Sequence, residues 1–233
     1  MMPDFVREHL CILDLDAEIR PCPRTTFKLH GAVEASSRFR GEAKERGGKA
    51  MFPFLIDENT GKDMYQSDAI VDYLWATYGT KKQVPFMVKV ADSRLWRMPS
   101  LFLVSLLRSV PHMGLMASPS RRPEQPLELW GFEPSPPCKL VRETLCELEL
   151  PYVQRNCAKG SIKRPEFREK YGHTLSSFRQ ITNQIKVPLL IDPNTKTELF
   201  ESADIVSYLR RTYQVGESTD ADLSAYSTAK KAY

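Results

Sequence analysis

The chain has 233 residues, of which 42% are hydrophobic and 27% charged, and its formal net charge is +4. These proportions are those of an ordinary soluble protein, and so small a charge gives no reason to expect a nucleic-acid partner. The apolar stretch at 101–107 is far shorter than the roughly 20 residues that cross a bilayer, so no membrane span is expected. Five widely spaced cysteines predict a reducing compartment, and four isolated histidines predict no metal site.

The sequence repeats itself at a constant offset of 135 residues, with no insertion between Val6 and Gly79. Matching segments include Val6-Arg7-Glu8 with Val141-Arg142-Glu143, and Pro53-Phe54-Leu55-Ile56-Asp57 with Pro188-Leu189-Leu190-Ile191-Asp192. A period of this size predicts a tandem duplication of a small domain rather than a solenoid. Because the counterpart of Ser135 would precede Met1, the first copy is expected to lack its initial strand.

In chain order, the first copy occupies residues 1–79 and a linker follows at 80–126. Within the linker, Pro99 to Val110 is predicted to form an amphipathic or buried helix. Residues 117–126 are rich in proline, serine and arginine, and they are predicted to be extended.

The second copy, residues 127–214, shows the complete pattern of elements. Its predicted order is strand, helix, strand, mixed polar stretch, strand, strand and helix, at 127–132, 135–150, 152–156, 162–184, 187–192, 198–200 and 202–213. A parallel crossover half followed by a hairpin and a closing helix is the arrangement of an α/β thioredoxin-like domain. The polar residues 215–233 are predicted to form a disordered tail.

The first candidate site is Ser135-Pro-Pro-Cys138, where a strand leads into a helix. The positive end of the helix would stabilise a thiolate there, so Ser135 and Cys138 are the candidate catalytic residues. A serine followed by proline is also the ordinary pattern of a helix N-cap, which would involve no chemistry.

Two further motifs could bind a ligand. A cis bond at Val187-Pro188 would turn the main chain of Val187 outward to pair with an extended peptide, whereas a trans proline on an edge strand would not. At Glu201-Ser202, Ser202 is expected to cap a helix whose free amides attract a carboxylate, while Glu201 could bind an ammonium group. Capping alone is the alternative there.

In their order and spacing these motifs resemble the N-terminal domain of glutathione transferases. The chain is most similar to tandem-domain, thioredoxin-like proteins of plants and algae, which are often plastid proteins, and this implies a chloroplast location. The resemblance implies that Ser135 activates the glutathione sulfur, a role that a cysteine takes in glutaredoxin-like members. It also implies that Val187 and Pro188 contact the cysteinyl part, and that Glu201 and Ser202 bind the γ-glutamyl amine and carboxylate.

The first copy keeps only degenerate counterparts of these positions, Phe52-Pro53 and Gln66-Ser67. An amide at Gln66 is a poorer partner for an ammonium group than a carboxylate. Because of these changes, the first copy is expected to be inactive.

The resemblance has a further limit. The helical second domain that builds the substrate pocket of glutathione transferases is not expected after Tyr213.

The leading interpretation is a glutathione-binding, glutathione transferase-like thiol protein with one complete site, which leaves transferase or glutaredoxin-like activity open. Glutathione would be its substrate or ligand. One alternative is a non-catalytic thioredoxin-fold scaffold with a protein partner or a homodimer. Another is a monothiol thiol-disulfide oxidoreductase that acts through Cys138.

Overall fold

The computed structural model of the protein describes residues 2–23, 37–80, 117–172 and 185–215. The helix predicted at 99–110, the segment 173–184 and the tail beyond 215 lie outside these ranges. The described elements, in chain order, are α1 (Met2–Ile12), β1 (Ala17–Ile19), α2 (Arg40–Gly47), β2 (Phe54–Asp57), β3 (Lys62–Tyr65), α3 (Ser67–Tyr78), β4 (Leu127–Gly131), α4 (Pro136–Glu147), β5 (Tyr152–Asn156), α5 (Arg164–Tyr171), β6 (Leu189–Asp192), β7 (Thr197–Phe200) and α6 (Ser202–Tyr213).

The main sheet has five strands in the order β1-β5-β4-β6-β7. Strand β4 is parallel to β5 and antiparallel to β6, and β6 and β7 form an antiparallel hairpin. Helix α4 makes the crossover from β4 to β5, because parallel neighbours cannot be joined by a tight turn. This arrangement confirms the mixed α/β fold that the element order predicts.

Helices α4 and α6 cover one face of the main sheet. The residues that alternate along β4 supply Leu127 and Leu129, both fully buried, and α4 contributes Val141 and Leu145 at helical spacing. Each buried leucine side chain stabilises the fold by about 1.5–3 kcal/mol. Local pattern and tertiary packing therefore agree in this part of the chain.

Strands from the N-terminal part are divided between two sheets. Strand β1 pairs antiparallel with β5, and the hairpin of β2 and β3 forms a separate two-stranded sheet. In the β1–β5 pair, Glu18 lies opposite Val153, which is its own counterpart at the 135-residue offset. Strands β1 and β5 are therefore paired symmetrically about this position.

Several local features recur at the same offset. The peptide bonds Phe52–Pro53 and Val187–Pro188 are both cis, and Gln66 and Glu201 have φ values of 70° and 69°. Each of these two residues immediately precedes a 12-residue helix, α3 or α6. The sequence repeat is thus accompanied by a repeat of backbone conformation.

A buried carboxylate fixes the β6–β7 hairpin to α6. Asp192 is fully buried, and its Oδ2 accepts hydrogen bonds of 2.6 Å from the hydroxyls of both Tyr208 and Tyr213. Its Oδ1 accepts from the main-chain N–H of Asn194 at 2.9 Å. Asp57 accepts the corresponding bonds in the β2–β3 hairpin, from a tyrosine pair on α3.

Charged side chains connect the N-terminal part to the main sheet. Lys163 donates from Nζ to the main-chain oxygens of Asp14 and Asn156, at 2.9 and 3.0 Å, and forms a 2.5 Å ion pair with Asp16. Asp16 also pairs with Arg155 at 3.2 Å. These contacts surround the start of β1, so they support the β1–β5 pairing.

Candidate functional site

The register of the main sheet brings the three candidate motifs to one end. Leu189, the first residue of β6, lies opposite Trp130 near the end of β4 and opposite Phe200 at the end of β7. The segments just after β4, just before β6 and just after β7 therefore lie at the same end of the main sheet. Those three segments hold Ser135, Val187-Pro188 and Glu201-Ser202.

Val187 lies two residues before the start of β6 with its side chain half-buried, while the ring of Pro188 is buried. The bond between them is cis, one of the two isomers that the sequence left open. Among the described residues, no hydrogen bond engages the main chain of Val187. Its N–H and C=O are thus available to a peptide ligand as far as the described chain goes.

The expectation that Ser202 caps α6 is wrong. Ser202 is the first helical residue, and Glu201 occupies the cap position with no side-chain capping bond. The reason is the positive φ of Glu201, which turns the chain from β7 into the helix within a single residue. Within the described ranges the Ser202 hydroxyl makes no hydrogen bond, so it remains available to a ligand.

Lys186 is a site residue that sequence reasoning missed. Its Nζ forms a 2.9 Å ion pair with Glu201 Oε1 and lies 5.4 Å from the centroid of the Phe200 ring. The Lys186 side chain is 27% exposed and that of Glu201 is 64% exposed. In the sequence, the only indication of this residue was a cationic side chain immediately before Val187-Pro188. Its partner, Glu201, could not be identified there because tertiary structure brings the two side chains together.

Ser135 occupies the cap position of α4 without making a side-chain capping bond, and prolines fill the first helical positions. The ordinary N-cap interpretation is therefore only half right, because Ser135 occupies the cap position but its hydroxyl makes no capping hydrogen bond. Ser135 is only 6% exposed, and its proximity to Cys138 lowers the pKa of that thiol.

Cys138 lies beneath Ser135 and is fully buried. A Cβ added at Gly131 would lie 2.7 Å from the Cys138 sulfur, which shows how closely the thiol packs against β4. Burial raises the pKa of the Cys138 thiol, and the hydrogen bonds from Ser135 and the Phe132 main chain only partly offset this. These properties are typical of a structural cysteine rather than a nucleophile.

The corresponding region of the N-terminal part is less complete. Phe52 and Pro53 precede β2 in the same way, and the Arg40 guanidinium lies 5.1 Å from the Phe52 ring. However, Met51 stands at the position matching Lys186, and Gln66 at the position matching Glu201. Among the described residues there is also no strand beside β2 where β4 lies beside β6.

The remaining cysteines are also thiols with raised pKa values. Burial is the main cause, and it raises the pKa of Cys22 to about 12, of Cys146 to about 11 and of Cys157 to about 12. Within the described part of the chain, no group of His, Cys, Asp and Glu side chains could hold a metal ion. No helix there is long and apolar enough to cross a membrane.

We expect Cys138 to resist alkylation in the native protein, because its thiol is buried and its pKa raised. Treatment with iodoacetamide at pH 7.5, followed by peptide mass spectrometry, should label Cys138 only after denaturant is added. Ser135→Ala serves as the control, since removing the hydroxyl should leave the thiol just as unreactive. Rapid native labelling of Cys138 would instead support the oxidoreductase alternative.

Residues 129–218 match the family model of the glutathione S-transferase N-terminal domain. The match runs from within β4 to just beyond α6, and it supports a thioredoxin-like domain in this part of the chain. The chain matched no curated protein and no solved structure.

Proposed function

We propose that the chain binds glutathione at the sheet edge where Ser135, Val187-Pro188 and Glu201-Ser202 converge. The observation that carries this proposal is the Lys186–Glu201 ion pair beside the unused main chain of Val187. The ion pair places a positive and a negative charge beside main-chain groups that could pair with a peptide. These residues lie within the segment that matches the glutathione S-transferase N-terminal domain.

The chemistry of the tripeptide fits each group in turn. Its ammonium group would pair with Glu201, and one carboxylate with Lys186, so ligand charges replace an existing ion pair. The other carboxylate would lie at the first turn of α6, near the Ser202 hydroxyl and the positive end of the helix. The extended middle of the ligand would pair with Val187 as an added strand.

Activation of the glutathione sulfur would fall to Ser135. A hydroxyl has one proton to donate, and Ser135 would direct it to the ligand sulfur. A donor there lowers the pKa of the ligand thiol by stabilising its thiolate. The 6% exposure of Ser135 means that this step also requires the surrounding chain to admit the ligand.

We expect reduced glutathione to bind the full chain, and isothermal titration calorimetry measures this directly. Glu201→Gln and Lys186→Met should each weaken binding about 10-fold, because each removes one charge-assisted contact of about 1.5 kcal/mol. The matched variant Gln66→Ala changes the degenerate counterpart and should leave the dissociation constant unchanged. Absence of binding at millimolar glutathione, or equal losses in all three variants, would reject the site.

A second candidate is glutathione binding without turnover. The burial of Ser135 and Cys138 favours it, because neither group faces solvent in the way an activating residue would. A rate of conjugation to an electrophilic aryl halide that equals the uncatalysed rate, despite measured binding, would support this candidate. A rate that falls in Ser135→Ala would support catalysis.

We also propose that residues 1–79 are a degenerate tandem copy of the domain at 127–214. The repeat of the hairpin, the following helix and the positive φ before it supports this division. In this proposal Phe52, Pro53, Gln66 and Ser67 keep the backbone of the site without its charges.

A further inference from the structure

The turn that leads from β4 to Ser135 depends on contacts from outside itself. The chain turns at residues 132–135, where the main-chain N–H of Ser135 donates to the Phe132 oxygen at 3.2 Å. Pro134 stands at the third of these four positions, where proline is disfavoured because it restricts the backbone of the residue before it. The sequence of the turn therefore does little to order it, and the side chains that bind it should decide where Ser135 lies.

Glu133, inside this turn, is bound from two sides. Arg142 of α4 approaches from within the same unit, with Nη2 3.2 Å from Glu133 Oε1 and 2.9 Å from the Glu133 main-chain oxygen. Arg7 of α1 approaches from the N-terminal part, with Nε 3.3 Å from Oε2 and Nη2 3.4 Å from Oε1. Among the described residues no other group reaches Oε2. Arg7 therefore supplies the contact that fixes the orientation of the carboxylate as well as its position.

The two arginines are counterparts at the 135-residue offset. They lie on matching helices, α1 and α4, and both bind the single carboxylate of Glu133. Cys11, one turn after Arg7, lies on the same face of α1. The nearby main chain of Glu133 partly offsets the rise that burial causes in the pKa of the Cys11 thiol. The turn is thus bound by both units of the repeat, which one unit alone could not achieve.

Helix α1 is itself firmly held, so it can act as a support. Val6 and Leu10 are buried and pack against α3. His9 is 1% exposed, and its Nδ1 accepts a 2.9 Å hydrogen bond from Trp75 Nε1 of α3. A guanidinium carried by a packed helix loses less freedom on binding than one on a mobile segment.

We propose that α1 orders the turn that carries Ser135, through the Arg7–Glu133 contact, and that Arg7 is thereby a positioning residue for the glutathione site. This inference rests on the proposed function, in which the Ser135 hydroxyl donates to the glutathione sulfur. Glu133 lies only two residues before Ser135, so displacement of one displaces the other. A displacement of about 1 Å is enough to impair a hydrogen bond on which activation depends.

Hydrogen exchange of the free protein tests the ordering of the turn. Arg7→Leu should speed exchange at the Ser135 amide about 10-fold, because the turn loses a charge-assisted contact and opens locally. The amides of β4 should exchange as before, since Glu133 keeps its contact with Arg142 and the sheet is intact. The matched control is Arg20→Leu, which removes an arginine with a side chain 42% exposed and should leave the Ser135 amide unchanged.

The thiolate absorbance of bound glutathione, followed against pH, tests the effect on the site. Ser135→Ala should raise the pKa of the ligand thiol and lower the thiolate fraction about 10-fold, and Arg7→Leu should lower it at least about 3-fold. In the Ser135→Ala background, Arg7→Leu should have no further effect, because Arg7 acts through that hydroxyl. Arg7→Lys keeps the charge without the planar fork and should restore part of the loss.

The outcomes distinguish this inference from the function on which it rests. Absence of glutathione binding in the unaltered chain would remove the proposed function, and the positioning role with it. Normal binding, with Ser135 exchange and the thiol pKa both unaffected by Arg7→Leu, would leave the function standing and overturn the role of Arg7. Faster exchange in β4 to the same extent as at Ser135 would also overturn it, because Arg7 would then stabilise the fold in general.

Discussion

Replacing Asp192 with alanine should lower the free energy of unfolding by about 3 kcal/mol. The substitution removes the acceptor of two tyrosine hydroxyls at 2.6 Å and of the Asn194 main chain at 2.9 Å. Hydrogen bonds to a charged group contribute about 1.5–3 kcal/mol, and the buried Tyr208 and Tyr213 hydroxyls would lose their acceptor. Urea denaturation followed by tryptophan fluorescence measures the loss.

The matched variant is Asp57→Ala, which removes the same kind of carboxylate from the β2–β3 hairpin. Its partners, Tyr73 and Tyr78, are only half-buried, so water can replace the carboxylate as their acceptor. We expect a cost of about 1 kcal/mol there, near the ordinary net value of a hydrogen bond. Equal costs at the two sites would contradict the argument from burial.

The same carboxylate should make the protein sensitive to acid. Burial raises the pKa of Asp192, but the hydrogen bonds from Tyr208, Tyr213 and Asn194 outweigh it, and the net pKa lies below its ordinary value. A lowered folded-state pKa stabilises the fold above the unfolded value of about 3.9 and ceases to do so as the pH falls through the folded value. Asp192→Asn should therefore flatten the stability profile below about pH 4.

Residues of the main sheet were predictable because their local pattern and their environment agree. The alternation along β4 predicts burial, and helical spacing places Leu140, Val141, Leu145 and Leu148 on the apolar face of α4. The last three are buried, but Leu140 is 51% exposed, so that part of the prediction is wrong. The N-terminal strand β1 shows what such patterns omit. Only three residues long, it is defined by its pairing with β5, and that partner lies far away along the chain.

The candidate site shows the same division. The order and direction of the strands determine which connecting segments lie at which end of the sheet. The convergence of Ser135, Val187 and Glu201 at one end could therefore be predicted from where their motifs stand relative to the strands. The range of α6 was also predicted correctly, but its cap residue was not, because a positive φ at a non-glycine residue is rare and it places Glu201 rather than Ser202 at the cap. The Lys186 ion pair likewise depends on the turn that brings β7 beside β6.

Replacing Glu133 with alanine should cost about 3–4 kcal/mol of the free energy of unfolding. Its side chain is 10% exposed and pairs with Arg7 of α1 at 3.3 Å and with Arg142 of α4 at 3.2 Å. Burial alone would lower the pKa of Arg7, but Glu133, with Tyr152 and Asp4, raises the net pKa. Removing one partner of a buried ion pair leaves an uncompensated charge, which is why the expected cost is large.

The surroundings of Arg142 offer little compensation for the loss of the Glu133 carboxylate. It is 5% exposed, and its Nε and Nη1 have no hydrogen-bond partner among the described residues, while Nη2 donates to the Glu133 main chain at 2.9 Å. Glu58→Ala is the control, because Glu58 is 77% exposed and solvent screening should make its pair with Arg46 contribute little to stability. Urea denaturation should distinguish the two variants clearly.

A double-mutant cycle with Arg7→Ala then separates the two arginines. Arg7 lies in α1 and Glu133 in the segment before α4, so their coupling energy measures an ionic link between the N-terminal part and the main sheet. If Arg7 bears most of the loss, adding Arg7→Ala should recover stability in the Glu133→Ala background, because the uncompensated charge is removed with it. If the coupling is zero, Glu133 acts through Arg142 alone, and the N-terminal part is held by β1–β5 pairing and Lys163 instead.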